Sequence, residues 1–289
     1  MRATGTRKVQ RNAARGLVCI GEDRRSAFTP PAYAVGMQRL AENFWNIRGT
    51  YRVGGVLDIG THMSVVQGGD GRFVLIDGCA LDEGECEALM ALTSSGERVA
   101  AVVHVHPFHT LHVEATHRLF PSAKLHGTAR HRRLAPSLPW SEAPVEEWGP
   151  DHPFADLFDL SVPDGVQFTC PDERVHVASV LVRHRQSGIV HVDDTFNVMA
   201  GPGVLRRLLP QSSLRMHPML RHALKPEAGA ADAYAAWARG LAAHWADTRT
   251  VCAAHSAVRH LPAGGFTREV EGALDRVSRR LDRHRARYG

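Results

Sequence analysis

One short stretch limits what this chain can fold into. Val99 to Val105 is a continuous apolar run rich in β-branched residues, which is typical of a strand buried on both faces. Side chains alternate along a strand, so we expect His104 and His106 to point the same way. Pro107 cannot continue an internal strand, and the turn it imposes brings His109 back toward the same point. Because neutral imidazole is the commonest metal ligand, the stretch predicts a metal site.

Strand and helix patterns alternate on both sides of this stretch. The predicted strands are Asn43 to Tyr51, Gly54 to Asp58, Met63 to Gln67, Phe73 to Ile76, Lys124 to Gly127, Val166 to Cys170, Val175 to His184, Gly188 to Val192 and Thr250 to Ala254. The predicted helices are 82–95, 110–120, 203–209, 218–224, 230–247 and 267–285. Strands that alternate with helices favour a layered α/β architecture.

The chain divides into a tail and one large unit. Residues 1–36 mix basic residues, Gly, Ser and two prolines without a sustained period, which predicts a flexible N-terminal extension. Residues 37–289 are predicted to form a single domain. Within it, residues 132–164 are rich in Pro, Trp and acidic groups, so we expect an irregular insertion that borders a site.

Composition excludes several classes of protein. Hydrophobic residues make up 44% and charged residues 22%, as in an ordinary globular protein, and no apolar run approaches the length of a membrane span. Most of the net charge of +5 comes from the two termini, and no nucleic-acid-binding motif is present. The five cysteines are Cys19, Cys79, Cys86, Cys170 and Cys252, with no Cys-x-x-Cys pair. We therefore predict a cytoplasmic protein that contacts neither membrane nor nucleic acid, and the sequence leaves its oligomeric state open.

Three further candidate ligands, His176, Asp193 and His255, fall in or at the ends of predicted strands. Rigid elements that end at one edge can direct such side chains to a single point. Alternatives exist for two of them: Asp194 adjoins Asp193, which we favour, and His126 also follows a strand. Two other residues have different predicted roles, with His112 behind the ligands and Asp77 as a buried scaffold carboxylate.

The order of these residues resembles the metallo-β-lactamase superfamily, whose motif is His-x-His-x-Asp-His, followed by a His, an Asp after a strand and a late His. The segments Leu75 to Gly78 and Val192 to Phe196 are similar to further signatures of that family, and the resemblance spans about Gly54 to His260. It implies a four-layer αββα sandwich, with two packed mixed β-sheets flanked by helices.

The resemblance also implies roles for individual residues. His104, His106 and His176 would hold one zinc ion, and Asp193 would bridge to a second, bound by His109 and His255. Asp193 and His255 would take part in catalysis. The implied activity is metal-dependent hydrolysis of a small-molecule ester, amide, thioester or phosphoester, in which a metal-activated water is the nucleophile.

Phe108 departs from the motif, because the superfamily has an Asp at this position. A phenyl ring can neither ligate a cation nor orient a water, so a single metal ion becomes the expectation. This departure leaves two alternatives open. One is a non-hydrolytic relative that binds a metal or another ligand, and the other is a non-haem iron enzyme of redox or oxygen chemistry, since histidine and carboxylate ligands also suit iron.

Overall fold

The strands of this chain sort into two larger sheets and two short ribbons. The computed structural model describes residues 36–49, 52–53, 57–58, 60–198, 211–254 and 258–289. The first elements are β1 (Met37–Ala41), β2 (Phe44–Gly49), β3 (Arg52–Val53), β4 (Leu57–Asp58), β5 (Thr61–Gln67), β6 (Phe73–Ile76), α1 (Glu83–Leu92), β7 (Val99–Val103), α2 (Val113–Leu119), β8 (Lys124–His126) and α3 (Ala129–Leu134). After a 3₁₀ turn at Val145–Glu147 come β9 (Phe158–Ser161), β10 (Leu181–His184), β11 (Ile189–Val192), β12 (Phe196–Asn197), β13 (Arg215–Met216), α4 (Leu220–Ala223), α5 (Ala230–His244), β14 (Thr250–Ala253), β15 (Val258–His260) and α6 (Gly265–Tyr288).

Both larger sheets are mixed. The first has the order β1-β2-β5-β6-β7-β8, antiparallel up to β6 and parallel from β6 to β8. The second has the order β15-β14-β11-β10-β9, and only β11 and β14 run parallel. The ribbons are β3 with β4 and β12 with β13.

Alternation along the strands defines four layers. On β6, Phe73 and Leu75 pack with α1, whereas Val74 and Ile76 face the second sheet. On β14, Cys252 faces the first sheet, while its two neighbours on the strand pack with α5 and α6. Each sheet therefore buries one face against the other sheet and one against helices, as the two-residue period requires. The predicted αββα sandwich of two mixed sheets is confirmed.

Local sequence explains where some elements begin. Asp82 caps α1, because its side chain accepts a hydrogen bond from the Glu85 backbone N–H while the Glu85 carboxylate accepts one from the Asp82 N–H. This reciprocal capping box satisfies two donors that a helix start leaves without partners. Thr128 and His131 cap α3 in the same way.

Several boundaries differ from the sequence prediction. Val166 to Cys170 does not form a strand, and Val166 makes only an isolated bridge to Leu224. Of the predicted strand Val175 to His184, only β10 is formed. Both segments are apolar because they are buried beside α5, and a short buried run has no period that separates strand from loop.

The segment 132–164 is not irregular throughout. It contains β9, which pairs antiparallel with β10 and forms one edge of the second sheet. The prolines that suggested a loop lie outside β9, where they do not interrupt its pairing. The predicted extension 1–36 falls almost entirely outside the described residues, and the predicted helix 203–209 falls outside them completely.

Candidate functional site

The candidate site lies where strands of both sheets end. Asp77 follows β6, the histidine stretch follows β7, and Asp193 with Asp194 follows β11. Because β6 and β7 are parallel neighbours, and β11 and β14 are too, their carboxyl ends open at common edges. Loops at the carboxyl ends of such strands are the usual place for ligand sites in α/β proteins.

Asp194 is the carboxylate on which three of the predicted ligands converge: His106, His109 and His176. Its Oδ2 lies 3.1 Å from His106 Nε2 and 2.7 Å from His176 Nδ1. Ligand atoms of His106, His109 and Asp194 all lie within 4.8 Å of one another. Asp194 and His106 are fully buried, whereas the His176 side chain is 41% exposed. The cluster is therefore anchored in the interior and open to solvent on the His176 side.

Asp193 faces a different set of histidines. Its Oδ1 lies 3.4 Å from His109 Nδ1 and 3.2 Å from His62 Nε2. Burial disfavours the charge on His109, but the Asp193 carboxylate outweighs this and raises the pKa of His109 to about 9. Burial likewise opposes ionisation of Asp193, yet the charge and hydrogen bond of His109 hold the pKa of that carboxyl well below its usual range.

The sequence analysis favoured Asp193 over Asp194 as a ligand. In the structure, the acid next to His106 and His176 is Asp194. His191 and Asp193 are two residues apart at the end of β11, so both side chains point between the sheets. Asp194 comes one residue later, where the chain turns, and faces the histidine stretch instead. Asp193 and His109, which the resemblance makes ligands of one second ion, lie 3.4 Å apart.

His104 does not share a point with His106. Its ring packs against His131 and Trp140, with ring centroids 5.3 and 6.1 Å away. The strand β7 ends at Val103, so the alternation that predicted a common direction does not continue as far as His106. Both ring nitrogens of His104 are buried without a hydrogen-bond partner among the described residues. Its Nδ1 is 3.8 Å from Asp77, too far for a hydrogen bond.

Two histidines that the sequence did not single out, His62 and His191, stack with ring centroids 4.0 Å apart beneath the site. His62 Nδ1 faces Arg48 Nη1 at 3.4 Å and the Asn46 side-chain amide at 3.3 Å. A guanidinium only donates, so His62 Nδ1 accepts and the Nε2–H donates to Asp193. Burial lowers the pKa of His62 to about 3, which keeps the ring neutral.

His191 donates a hydrogen bond to a second buried acid, Asp77, as His62 does to Asp193. Its Nε2 donates to Asp77 Oδ2 at 3.1 Å, and its Nδ1 faces the Ser64 hydroxyl at 2.9 Å. The Val105 backbone N–H donates to Asp77 Oδ1. Although ligand atoms of His62, His191 and Asp193 also lie within 4.8 Å, their nitrogens already serve as hydrogen-bond donors. His62 and His191 thus orient the two buried acids, Asp193 and Asp77, through hydrogen bonds. In the sequence, the two-residue spacing of His191 and Asp193 could have indicated that they share one face of the strand.

The cluster of His106, His109 and Asp194 fits a metal cation. Two ligands bonded at about 2.0–2.1 Å to one tetrahedral zinc ion lie about 3.3 Å apart, close to the 3.1 Å between His106 Nε2 and Asp194 Oδ2. His106 Nε2, a ligand atom of this cluster, is buried without a hydrogen-bond partner among the described residues. Buried polar atoms are rarely left in this state, so this nitrogen is suited to bind a cation.

The remaining predicted residues fall in different places. His255 lies outside the described residues. His126 packs its buried ring against Trp148 and Phe154, with centroids 5.1 and 5.4 Å away, and burial lowers its pKa to about 4. It is a core histidine rather than a third ligand. His112 precedes α2 and belongs to no group of closely spaced ligand atoms in the described part of the chain.

Phe108 occupies the edge of the cluster with a cation behind it. Its ring centroid lies 5.7 Å from that of His176 and 6.0 Å from that of His106. The Arg130 guanidinium carbon lies 4.4 Å from the centroid of the Phe108 ring. Arg130 also donates to the Pro107 carbonyl oxygen and pairs with Glu173. The position of the missing motif acid is thus filled by an aromatic ring and backed by a fixed positive charge.

Comparison with solved structures identifies the fold. A metallo-β-lactamase from Erythrobacter litoralis, with β-mercaptoethanol in its active site, matches with a TM-score of 0.53 and 20% identity, over 82% of this chain and 96% of that one. One from Hirschia baltica matches with a TM-score of 0.52 and 14% identity, over 84% and 96%. One from Pontibacter korlensis matches with a TM-score of 0.51 and 13% identity, over 84% and 98%.

The described residues therefore form an αββα sandwich with a histidine and aspartate cluster at one edge. In particular, the chain has the metallo-β-lactamase fold, and the resemblance read from the sequence is confirmed at the level of the fold. Comparisons with family models and with curated proteins give no match. No helix among the described residues is long and apolar enough to cross a membrane.

Proposed function

We propose that this protein is a metal-dependent hydrolase that acts on a small-molecule substrate with a carbonyl or phosphoryl centre. The observation that supports this most directly is the contact of one carboxylate oxygen, Asp194 Oδ2, with nitrogens of both His106 and His176. The inner set of ligands consists of His106, His109 and Asp194, because their ligand atoms all lie within 4.8 Å of one another, and His176 lies at its outer edge. Histidine and carboxylate ligands suit zinc, which we propose as the metal.

A zinc ion held by these residues supplies a Lewis acid and lowers the pKa of a bound water toward neutrality. The chain's own residues divide the remaining work. His109 Nδ1 faces Asp193 at 3.4 Å, so a proton held there by this carboxylate would orient the ring and leave its Nε2 for the cation. The buried donor His62 keeps Asp193 oriented, and the exposed side of His176 leaves the cluster open to a substrate.

The proposed setting is cytoplasmic. Three of the cysteines, Cys79, Cys170 and Cys252, are buried thiols without a disulfide, which agrees with a reducing compartment. Measurement of the free-thiol count in protein taken directly from cells tests this setting, since an oxidising compartment would leave cross-linked cysteines.

Elemental analysis of the purified protein tests the metal and its identity together. We expect zinc in the wild type, and a loss of zinc affinity of at least about 100-fold in Asp194→Asn, because an amide lacks the charge of the ligand. Asp151→Asn, at an exposed turn, is the matched control and should keep the metal. Equal affinity in Asp194→Asn and the control would refute the assignment. Hydrolysis of an ester, thioester, amide and phosphoester panel by the zinc-loaded wild type tests turnover.

The Phe108 and Arg130 pair favours a second candidate, a relative that binds metal or another ligand without hydrolysis. In this case the wild type binds zinc through Asp194 but leaves the whole substrate panel intact. A sample dominated by iron would instead point to the redox alternative. The same elemental analysis and substrate panel therefore separate all three functions.

A further inference from the structure

A second group of possible ligands lies outward from the cluster and contains a histidine that the sequence did not single out. Ligand atoms of His176, Asp194 and His217 lie within 4.8 Å of one another. The rings of His176 and His217 have centroids 5.9 Å apart. Asp194 belongs both to this group and to the group with His106 and His109.

The fold explains why His217 reaches this place. β12 and β13 form an antiparallel ribbon in which Phe196 pairs with Met216 and Asn197 with Arg215. Asp194 precedes β12 and His217 follows β13, so the same end of the ribbon carries both residues. The Asn197 side-chain amide donates to the Asp194 carbonyl oxygen at 3.2 Å, which ties the acid to the ribbon. Backbone pairing thus fixes His217 relative to Asp194 across more than 20 residues of sequence.

The position of Phe108 provides no ligand for a second cation. There the Phe108 ring offers no ligand, and the Arg130 guanidinium lies behind it. A guanidinium has only donors, so Arg130 cannot replace the missing ligand. The group with His217 has no such cation among its members. Two of its residues, His176 and His217, are only half-buried, so an ion there can keep water ligands.

We propose that His176, His217 and Asp194 form an outer metal site, which shares Asp194 with the inner site. This inference rests on the proposed function in one respect: a cation must bind at the inner site, which includes the Asp194 carboxylate. The outer site would take a second divalent transition-metal ion such as zinc or cobalt, since two imidazoles and one carboxylate suit these ions. His217 then compensates for the ligand that Phe108 removes.

Metal stoichiometry measured with cobalt and zinc tests the proposal. We expect two equivalents in the wild type and one in His217→Ala, with the inner equivalent reporting that the variant is folded. His244→Ala, at an exposed position on α5, is the matched control and should bind two. Retention of two equivalents by His217→Ala would overturn the outer site. A wild type with one equivalent would overturn it too and leave the proposed function standing, whereas a wild type with none would contradict both.

A gain of signal provides an independent test. In His217→Cys loaded with cobalt, a thiolate would replace one imidazole ligand, so thiolate-to-cobalt charge-transfer absorption should appear in the near ultraviolet. The wild type and His244→Cys loaded in the same way give the background. Absence of the band in a His217→Cys variant that still binds the inner cobalt would show that residue 217 does not reach the metal.

Discussion

At the scale of single residues, two neighbouring acids have different surroundings. Asp193 accepts from His62 and lies beside His109, so it is held within a network of donors. Asp194 contacts the fully buried His106 and the partly exposed His176. One step along the chain at the end of a strand therefore separates an acid that orients histidines from one that can hold a metal.

Phe108→Asp restores the motif acid in sequence but not its surroundings. The new carboxylate would lie next to Arg130, whose guanidinium now lies 4.4 Å from the Phe108 ring centroid, and an ion pair should form. We therefore expect Phe108→Asp alone to leave the amount of bound zinc unchanged. The double variant Phe108→Asp with Arg130→Met should raise it, because the carboxylate then has no cationic partner. Equilibrium dialysis followed by elemental analysis measures both.

Arg130→Met alone is the control for this prediction. It removes the same charge without adding a ligand, so its zinc content should equal that of the wild type. An increase in zinc with Phe108→Asp alone would mean that Arg130 does not neutralise the new carboxylate.

The sequence identified the residue types of the site better than their partners. The spacing of His104, His106 and His109 indicated a metal site, and the structure brings His106 and His109 close to an acid. The sequence could not show which of Asp193 and Asp194 faces the histidines, because that depends on the residue at which β11 ends. His62 and His217 carried no local signal, since only sheet pairing and the β12–β13 ribbon bring them to the acids.

At the scale of elements, one glycine controls how a loop meets α5. Gly165 has φ of +70°, and a Cβ there would collide with the Ala230 carbonyl oxygen and lie 2.8 Å from the Tyr234 nitrogen. Both contacts are with backbone at the start of α5, which cannot move without displacing the helix from the second sheet. The glycine is therefore required both by backbone conformation and by close approach.

We expect Gly165→Ala to lower the free energy of unfolding by about 2–4 kcal/mol, from backbone strain and displacement of α5. Gly149→Ala is the matched control, because a Cβ there meets no atom within 4 Å, and it should change stability by less than about 0.5 kcal/mol. Urea unfolding followed by circular dichroism measures both. Equal midpoints for the two variants would show that the loop adapts without cost.

Element prediction from the sequence succeeded where a period was sustained. Phe73 to Ile76 matches β6, and the amphipathic pattern 267–285 falls within α6. It failed for β9, a four-residue edge strand within a proline-rich segment. Its identity as a strand comes from pairing with β10, which is a long-range contact that local patterns do not contain.

At the scale of the whole molecule, the layers determine how many ionisable groups are buried. Strands of both sheets point polar side chains into the space between the sheets near the site, including His62, His191 and Asp77. Elsewhere this space is filled by apolar side chains such as Val74, Val182 and Ile189. Burial therefore disfavours the charged form of a histidine such as His62, and this gives the molecule a defined response to acid.

Burial lowers the pKa of both His62 and His131 to about 3, from an ordinary value of 6.5. Above pH 6.5 both states are neutral and stability is complete, whereas below it only the unfolded state takes up the protons. Stability is thus lost as the pH falls from 6.5 toward 3, by up to about 1.4 kcal/mol per pH unit for each histidine. With chelator present, we expect these two residues to lower the free energy of unfolding by about 4 kcal/mol between pH 7 and pH 5.

Urea unfolding at both pH values, in wild type and His131→Gln, isolates one share of this loss. The variant should lose about 2 kcal/mol less than the wild type over the same interval, whatever its stability at pH 7, because glutamine does not titrate. His244→Gln replaces an exposed histidine and should lose as much as the wild type. If His131→Gln and His244→Gln respond alike, the buried ring of His131 does not resist protonation, and the acid response belongs to other groups.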